Sequence, residues 1–404
     1  MKTFLLRPDG LRRGPLCDSV PEPWVFILDG SVAAVAPGPA PELPEGTPVL
    51  RGGWLVEPLA DAHVHLSLSG SRDVAERRRV GALGREASLE RVLGLLQEYR
   101  RAGIAVVRDG GDRTGIVLEA AATANRRPDR FAAVRPAGEA VYRAGFYGSF
   151  LGSGARDVRE AAALLERNRA LGATLAKFLA TGLNGLVRAG EVEPGGFSEA
   201  ELSELISVAH ALGLPPMIHA NGPLGGLARC LAPETTLEHG FWMASDDLAD
   251  LAKAGAAWTP TVGAWAALDG LGLPAQQLAV VGETHGRQLQ AVREAEAAGV
   301  ELLAGSDAGT PGVEHVSGLF GELGRLREAG LRASSALAAS CSSTRRRLER
   351  ALGRPVGSLE LGEPAGFVWL EADPVSQPEA LRCPWAVFLG GAWTGSRELP
   401  TPNA

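Results

Sequence analysis

Charged, Ala/Leu-rich stretches alternate with short apolar runs along most of the chain, and a glycine repeatedly stands at the joint. The joints read RRAGIAVV, RALGATLA, HALGLPPMI, AKAGAAWT and EAAGVELLAG. Each fits a helix that ends at glycine and gives way to a strand. Gly103, Gly172, Gly213, Gly255 and Gly299 fall at helix C′ positions, where left-handed backbone costs least without a Cβ. Helix starts are marked as well: Asp157 with Glu160, and Ser198 with Glu201, have capping-box spacing. Helix, glycine and strand repeating every 20–60 residues or so predict βα units on a parallel sheet.

Eight strands are predicted, near 55–64, 103–108, 131–137, 174–180, 214–219, 235–239, 256–261 and 300–306. Eight βα units make an α/β protein with a (β/α)8 barrel. The competing architecture, an open doubly wound sheet, wants a Gly-rich turn after its first strand. Here the first strand runs into His-Val-His instead. The two ends read differently. Residues 1–56 and 355–404 are rich in Pro and Gly, with short β-like pieces such as PWVFILDG, SVAAVAP and WAVFLGGAWTG. Neither end carries enough apolar surface alone, so a small β-sandwich built from 1–56 plus 355–404 is expected, with the barrel over 57–354.

Composition narrows the function. The 404 residues carry a net charge of −7 and no basic run, which argues against nucleic acid and anionic membrane as partners. The apolar run in MKTFLLRPDGLRRG is too short for a secretory signal. No segment approaches the ~18 uninterrupted apolar residues of a membrane helix. Cys17, Cys230, Cys341 and Cys383 are scattered without a CxxC, as expected of reduced thiols in a cytoplasmic protein.

The chemistry concentrates at predicted strand ends. In DAHVHLSLSG, His63 and His65 are i and i+2 on a strand and share a face. They would meet at the barrel mouth as metal ligands, or sit in a polar loop. Asp307, in AGSDAGTPG, follows the eighth strand and could ligate, act as a base or cap a turn. His219 ends the fifth strand and His239 the sixth. Single histidines there are ordinarily hydrogen-bonded residues, but their convergence on the rim that holds HxH and Asp suits zinc, iron or manganese. Lys177, in LAKFL, alternates with Leu175 and Leu179 and points inward if they do. It could form a Schiff base, a structural salt bridge, or a carbamate able to bridge two metals. His210 and His285 read as ordinary helix residues; His315 is held open as a substrate contact.

In order along the chain, HxH, Lys, His, His and Asp, together with EPLADAHVHL, GATLAKFLATG, PPMIHANG, TLEHG and AGSDAGTPG, resemble the amidohydrolase superfamily. The nearest subgroup contains metal-dependent prolidases, arginine carboxypeptidases and imidazolonepropionase. The resemblance implies a distorted barrel with a split β-sandwich. It also implies two divalent metals of the zinc class: His63, His65 and Asp307 on one, His219 and His239 on the other, carboxylated Lys177 bridging them with a hydroxide. That hydroxide would attack an amide-type C–N bond of a small-molecule substrate. Asp307 would serve as general base and then acid, with His239 helping to stabilise the oxyanion. A homo-oligomer is a further family-level expectation.

Two departures stand out. Relatives carry Gly-Gly-His-Gly in the third βα loop, where this chain has VYRAGFYGSFLG. Deaminases of the superfamily place a glutamate three residues after the fifth-strand histidine, where this chain has Gly222. Deamination and imidazolonepropionase-type ring opening are therefore secondary readings, ester or lactone hydrolysis shares the chemistry, and a non-catalytic scaffold is the alternative of another class. Tyr142, Arg143, Tyr147, Thr181, Asn184, Arg188, Trp265 and His315 are the candidate substrate contacts, since specificity lies in the βα loops. Arg143 and Arg188 could equally be solvated loop charges.

Overall fold

The computed structural model describes residues 2–395. Met1 and the last part of the expected C-terminal β segment, residues 396–404, lie outside that range. Eight parallel strands carry the centre of the chain: Leu59–Val64, Ile104–Asp109, Ala133–Pro136, Ala176–Leu179, Pro216–Ala220, Thr236–His239, Ala257–Thr259 and Glu301–Leu302. The first three form one sheet and the other five a second. Hydrogen bonds join the two sheets at both margins. Val141 N donates to Lys177 O and Leu179 N to Val141 O, which ties the third strand's continuation to the fourth strand. Ala62 N donates to Ala304 O, Asp307 N to His63 O and His65 N to Ala308 O, which ties the first strand to the chain beyond the eighth.

All eight expected strands are present, most of them shorter than the expected run. The eighth departs most, since its ladder covers only residues 301–302. Past it the backbone turns onto the first strand. At Gly305 a Cβ would lie 2.3 Å from Thr259 Cγ2 and 2.9 Å from His63 Cβ, so only glycine permits that approach. The five C′ glycines all have positive φ. Ser198 and Glu201 form the expected capping box, and the Asp157 side chain accepts from Glu160 N.

The chain ends pair with each other. A four-stranded sheet contains Phe4–Arg7, Pro23–Leu28, Ser31–Pro37 and Val49–Arg51. A six-stranded sheet interleaves Gly10–Arg13, Asp18–Pro21 and Trp54–Val56 with Phe367–Leu370, Ala386–Leu389 and Ala392–Thr394. Phe4, Leu6, Val25 and Ile27 of the first share one buried cluster with Leu11, Leu55, Phe367, Trp369 and Phe388 of the second. The apolar core at this end is therefore built from both chain ends together. No helix among the described residues is long and apolar enough to cross a membrane.

Candidate functional site

His63, His65, Lys177, His219, His239 and Asp307 come together at the C-terminal ends of the parallel strands, and all six are buried. His63 and His65 share a face by strand alternation. At His239 and Asp307 the backbone is left-handed, with φ of 69° and 57°. That conformation is costly for residues with a Cβ. It breaks the alternation at the strand ends and turns both side chains toward the same space.

Donor atoms of His63, His65 and Asp307 all lie within 4.8 Å of one another. Asp307 Oδ1 faces His65 Nε2 at 3.2 Å and His63 Nε2 at 3.5 Å, without hydrogen-bond geometry to either. A buried carboxylate oxygen and two imidazole nitrogens aimed at one another fit a divalent cation of the zinc class. The rings of His63 and His239 are 5.0 Å apart and those of His219 and His239 4.6 Å, which extends the donor set. Lys177 Nζ lies 3.4 Å from His63 Nε2.

Charge states agree with ligation. Burial, reinforced by Lys177, pulls His63 down to about 4 and His219 to about 3. Burial and the neighbouring His219 pull His239 well below its ordinary value. All three are neutral near pH 7 and offer lone pairs. Burial would raise Asp307, but the surrounding imidazoles, His63 foremost, hold it far below the usual carboxylate range. Burial draws the Lys177 ammonium down to about 8 against the pull of Glu238 and Asp307.

Behind the ligand-type residues lies a polar support that the sequence reading missed. Glu238 accepts from His63 Nδ1 at 2.8 Å and from Arg108 Nη2 at 2.8 Å. Arg108 also reaches Ala62 O and Thr236 Oγ1. Asp109 accepts from Leu66 N and Gly111 N and so holds the turn after His65. His239 Nδ1 is 2.7 Å from Thr261 Oγ1, and Asn221 Nδ2 is 3.2 Å from His219 Nε2. Strand alternation placed Glu238 opposite His239; the left-handed turn at His239 is what lets both face inward.

A cavity of about 200 Å³ opens over this cluster. His65, Lys177, His219, His239 and Asp307 form its floor, and Tyr147, Phe150, Leu186, Phe241, Trp265 and Leu268 form much of its wall. Of the candidate substrate contacts, Tyr147, Asn184 and Trp265 line it. Both amide atoms of Asn184 are buried without a partner. The others are engaged elsewhere. Tyr142 donates to Gly152 O, Arg143 pairs with Glu201 over the Phe197 ring, and Thr181 Oγ1 accepts from Asn221 N. His315 is fixed between Tyr99 Oη and Leu68 O, and Arg188 is exposed.

Comparison with known proteins gives the same picture. The model of the amidohydrolase family matches residues 58–393. An uncharacterized protein of Mycobacterium tuberculosis is 26% identical over 356 residues, covering 86% of this chain and 87% of its own. The fold is similar to that of a Xaa-Pro dipeptidase with methionine bound in its active site, at TM-score 0.80 and 17% identity over 98% of this chain and 100% of that one. Ochratoxinase of A. niger is similar at TM-score 0.79 and 19% identity, over 98% and 96% of the two chains.

Proposed function

The chain belongs to the amidohydrolase family and is a hydrolase of C–N bonds, and we propose that it cleaves an amide-type bond in a substrate bearing a bulky apolar group, using two divalent metals. The architecture read for it is a distorted (β/α)8 barrel over 57–354 with a β-sandwich from the two chain ends. The hydrogen bonds at both sheet margins and the core shared by the end sheets support that reading.

In this proposal His63, His65 and Asp307 would hold one ion and His219 and His239 the other, with carboxylated Lys177 as a further anionic ligand. Zinc-class ions bound there lower the pKa of water and polarise a carbonyl. The chain's own groups do the rest. Asp307, kept ionised by its imidazole neighbours, takes a proton on its carboxylate and returns it to the leaving amine. His239, its Nδ1 occupied by Thr261, keeps its ring oriented toward the cavity and its other nitrogen free for an ion. The apolar wall excludes water and accepts the apolar portion of the substrate. Asn184, with an acceptor and a donor both unpartnered, is suited to reading a substrate amide. No arginine lines the cavity, so nothing there matches a free substrate carboxylate with a bidentate fork.

The observation that carries the proposal is the convergence of six buried ligand-type side chains, five of them on the floor of one cavity and His63 directly behind it. Elemental analysis of protein purified without chelator tests it, combined with a hydrolysis screen of N-acyl amino acids, dipeptides, cyclic amides and aromatic amides. About two zinc-class ions per chain and turnover of apolar amides are expected. Absence of bound metal after reconstitution with metal and bicarbonate would sink the proposal and favour a scaffold.

A further inference from the structure

We propose that the protein binds a small oxyanion of the phosphate class in an arginine-lined cavity at the end of the parallel strands opposite the histidine cluster. This cavity has a volume of about 420 Å³. Thr174, Pro215 and Pro233, which precede the fourth, fifth and sixth strands, line it together with Arg135, Arg169, Arg347 and Arg350. Glu234 is the single acidic residue of the lining.

Arg135 is the key group. It is 3% exposed, yet it has no carboxylate partner among the described residues. Its guanidinium donates to Thr174 O, and its buried Nε has no acceptor. The other buried arginines are compensated. Arg108 pairs with Glu238, Arg345 with Glu57 and Glu349, and Arg347 with Glu301; Arg100 gives its N–H groups to the carbonyls of Pro128, Leu389 and Ala392. Arg108, another cation, adds to the cost of the Arg135 charge. An arginine cannot escape by losing its proton in the physiological range, so a buried one left without an acceptor is costly.

Arg347 lines the same cavity, and its Nε is also buried without a partner among the described residues. Arg169 and Arg350 add exposed guanidinium groups. Three arginines without a carboxylate partner among the described residues, Arg135, Arg169 and Arg350, and a fourth, Arg347, paired with Glu301, line one cavity and suit the charge of a phosphate-type anion. The anion supplies the counter-charge that the chain itself lacks.

Thermal unfolding of the full chain at constant ionic strength tests this, with inorganic phosphate and pyrophosphate as probes and chloride as the reference. Phosphate in about hundredfold excess over its Kd is expected to raise the midpoint by about 4 °C. Pyrophosphate raising it further would mark a phosphoryl-bearing molecule as the occupant; an equal response would mark the free anion. Arg350→Ala, an exposed change, should at least halve the shift. Arg135→Met should abolish it and leave the phosphate-free midpoint unchanged or higher, because it removes an uncompensated buried charge. Absence of any shift in the wild type overturns the proposal. So does a shift that survives in both variants, which would place the anion elsewhere, at the histidine cluster above all.

Discussion

His63 Nδ1 lies 2.8 Å from a carboxylate oxygen of Glu238, and both side chains are fully buried. The carboxylate fixes the imidazole tautomer: the proton stays on Nδ1 and the lone pair on Nε2, the atom that faces Asp307 and Lys177. Burial opposes the charge on Glu238, but Arg108 and His63 hold it ionised. Glu238→Gln keeps the shape and loses the charge. It is expected to lower metal affinity or kcat/KM by about 10–100-fold. Metal content measured by elemental analysis on folded variant protein checks this, and unchanged content with unchanged kcat/KM would leave Glu238 a packing residue.

Lys177 can act as an ammonium or as a carbamate, and substitutions separate the two. If it bridges metals as a carbamate, Lys177→Ala should reduce bound metal from about two ions to about one. Lys177→Glu, which restores a carboxylate, should recover part of the loss, whereas Lys177→Arg should not. If the ammonium matters, Lys177→Arg should be the better variant because it preserves the charge beside Glu238 and Asp307. Metal stoichiometry, with intact mass of the wild type in bicarbonate, decides between them.

Much of this arrangement is legible in the sequence, because the metal-type residues stand at the ends of apolar runs and strand alternation relates His63 to His65. The helix ends are legible for the same kind of reason, since a C′ glycine answers a local backbone demand. What alternation hides is the work of residues that break it. Glu238 reads as the outward neighbour of His239 until the left-handed backbone at 239 brings both inside. Arg108 reads as one charge in an apolar strand, and its partners Thr236 and Glu238 are more than 120 residues away. The cavity wall is hidden too. Tyr142, Arg143 and Thr181 lie in the right region, but which side chains there reach the cavity depends on tertiary packing that no local pattern encodes.

Phe150 forms part of the cavity wall while remaining 39% exposed. Truncating it removes apolar contact for the substrate at little cost to the core. Phe150→Ala should raise KM for aromatic amides by about tenfold, in line with ~25 cal/mol per Å² of lost burial. The Tm should stay within a degree or two, and KM for small polar amides should not move. An equal change for both substrate classes would argue against apolar recognition at this wall.

Glu322 gives a prediction that does not involve the metal-type residues. Its side chain is fully buried and accepts from Val262 N and Gly263 N. Burial outweighs those two bonds and pushes its carboxyl from an ordinary 4.5 up to about 8. With the folded value above the unfolded one, the group's favourable contribution is complete below about pH 4.5 and is lost as pH rises through about 8. Glu322→Gln removes this titration. It also loses one acceptor, a pH-independent cost of about 1 kcal/mol. Other ionisations, including the buried histidines, are common to both proteins and cancel in the difference. Denaturant unfolding between pH 5 and 8 should therefore show wild type losing stability relative to the variant by about 1.4 kcal/mol per pH unit. Parallel stability curves across that window would mean that Glu322 titrates in the folded protein as it does in the unfolded chain.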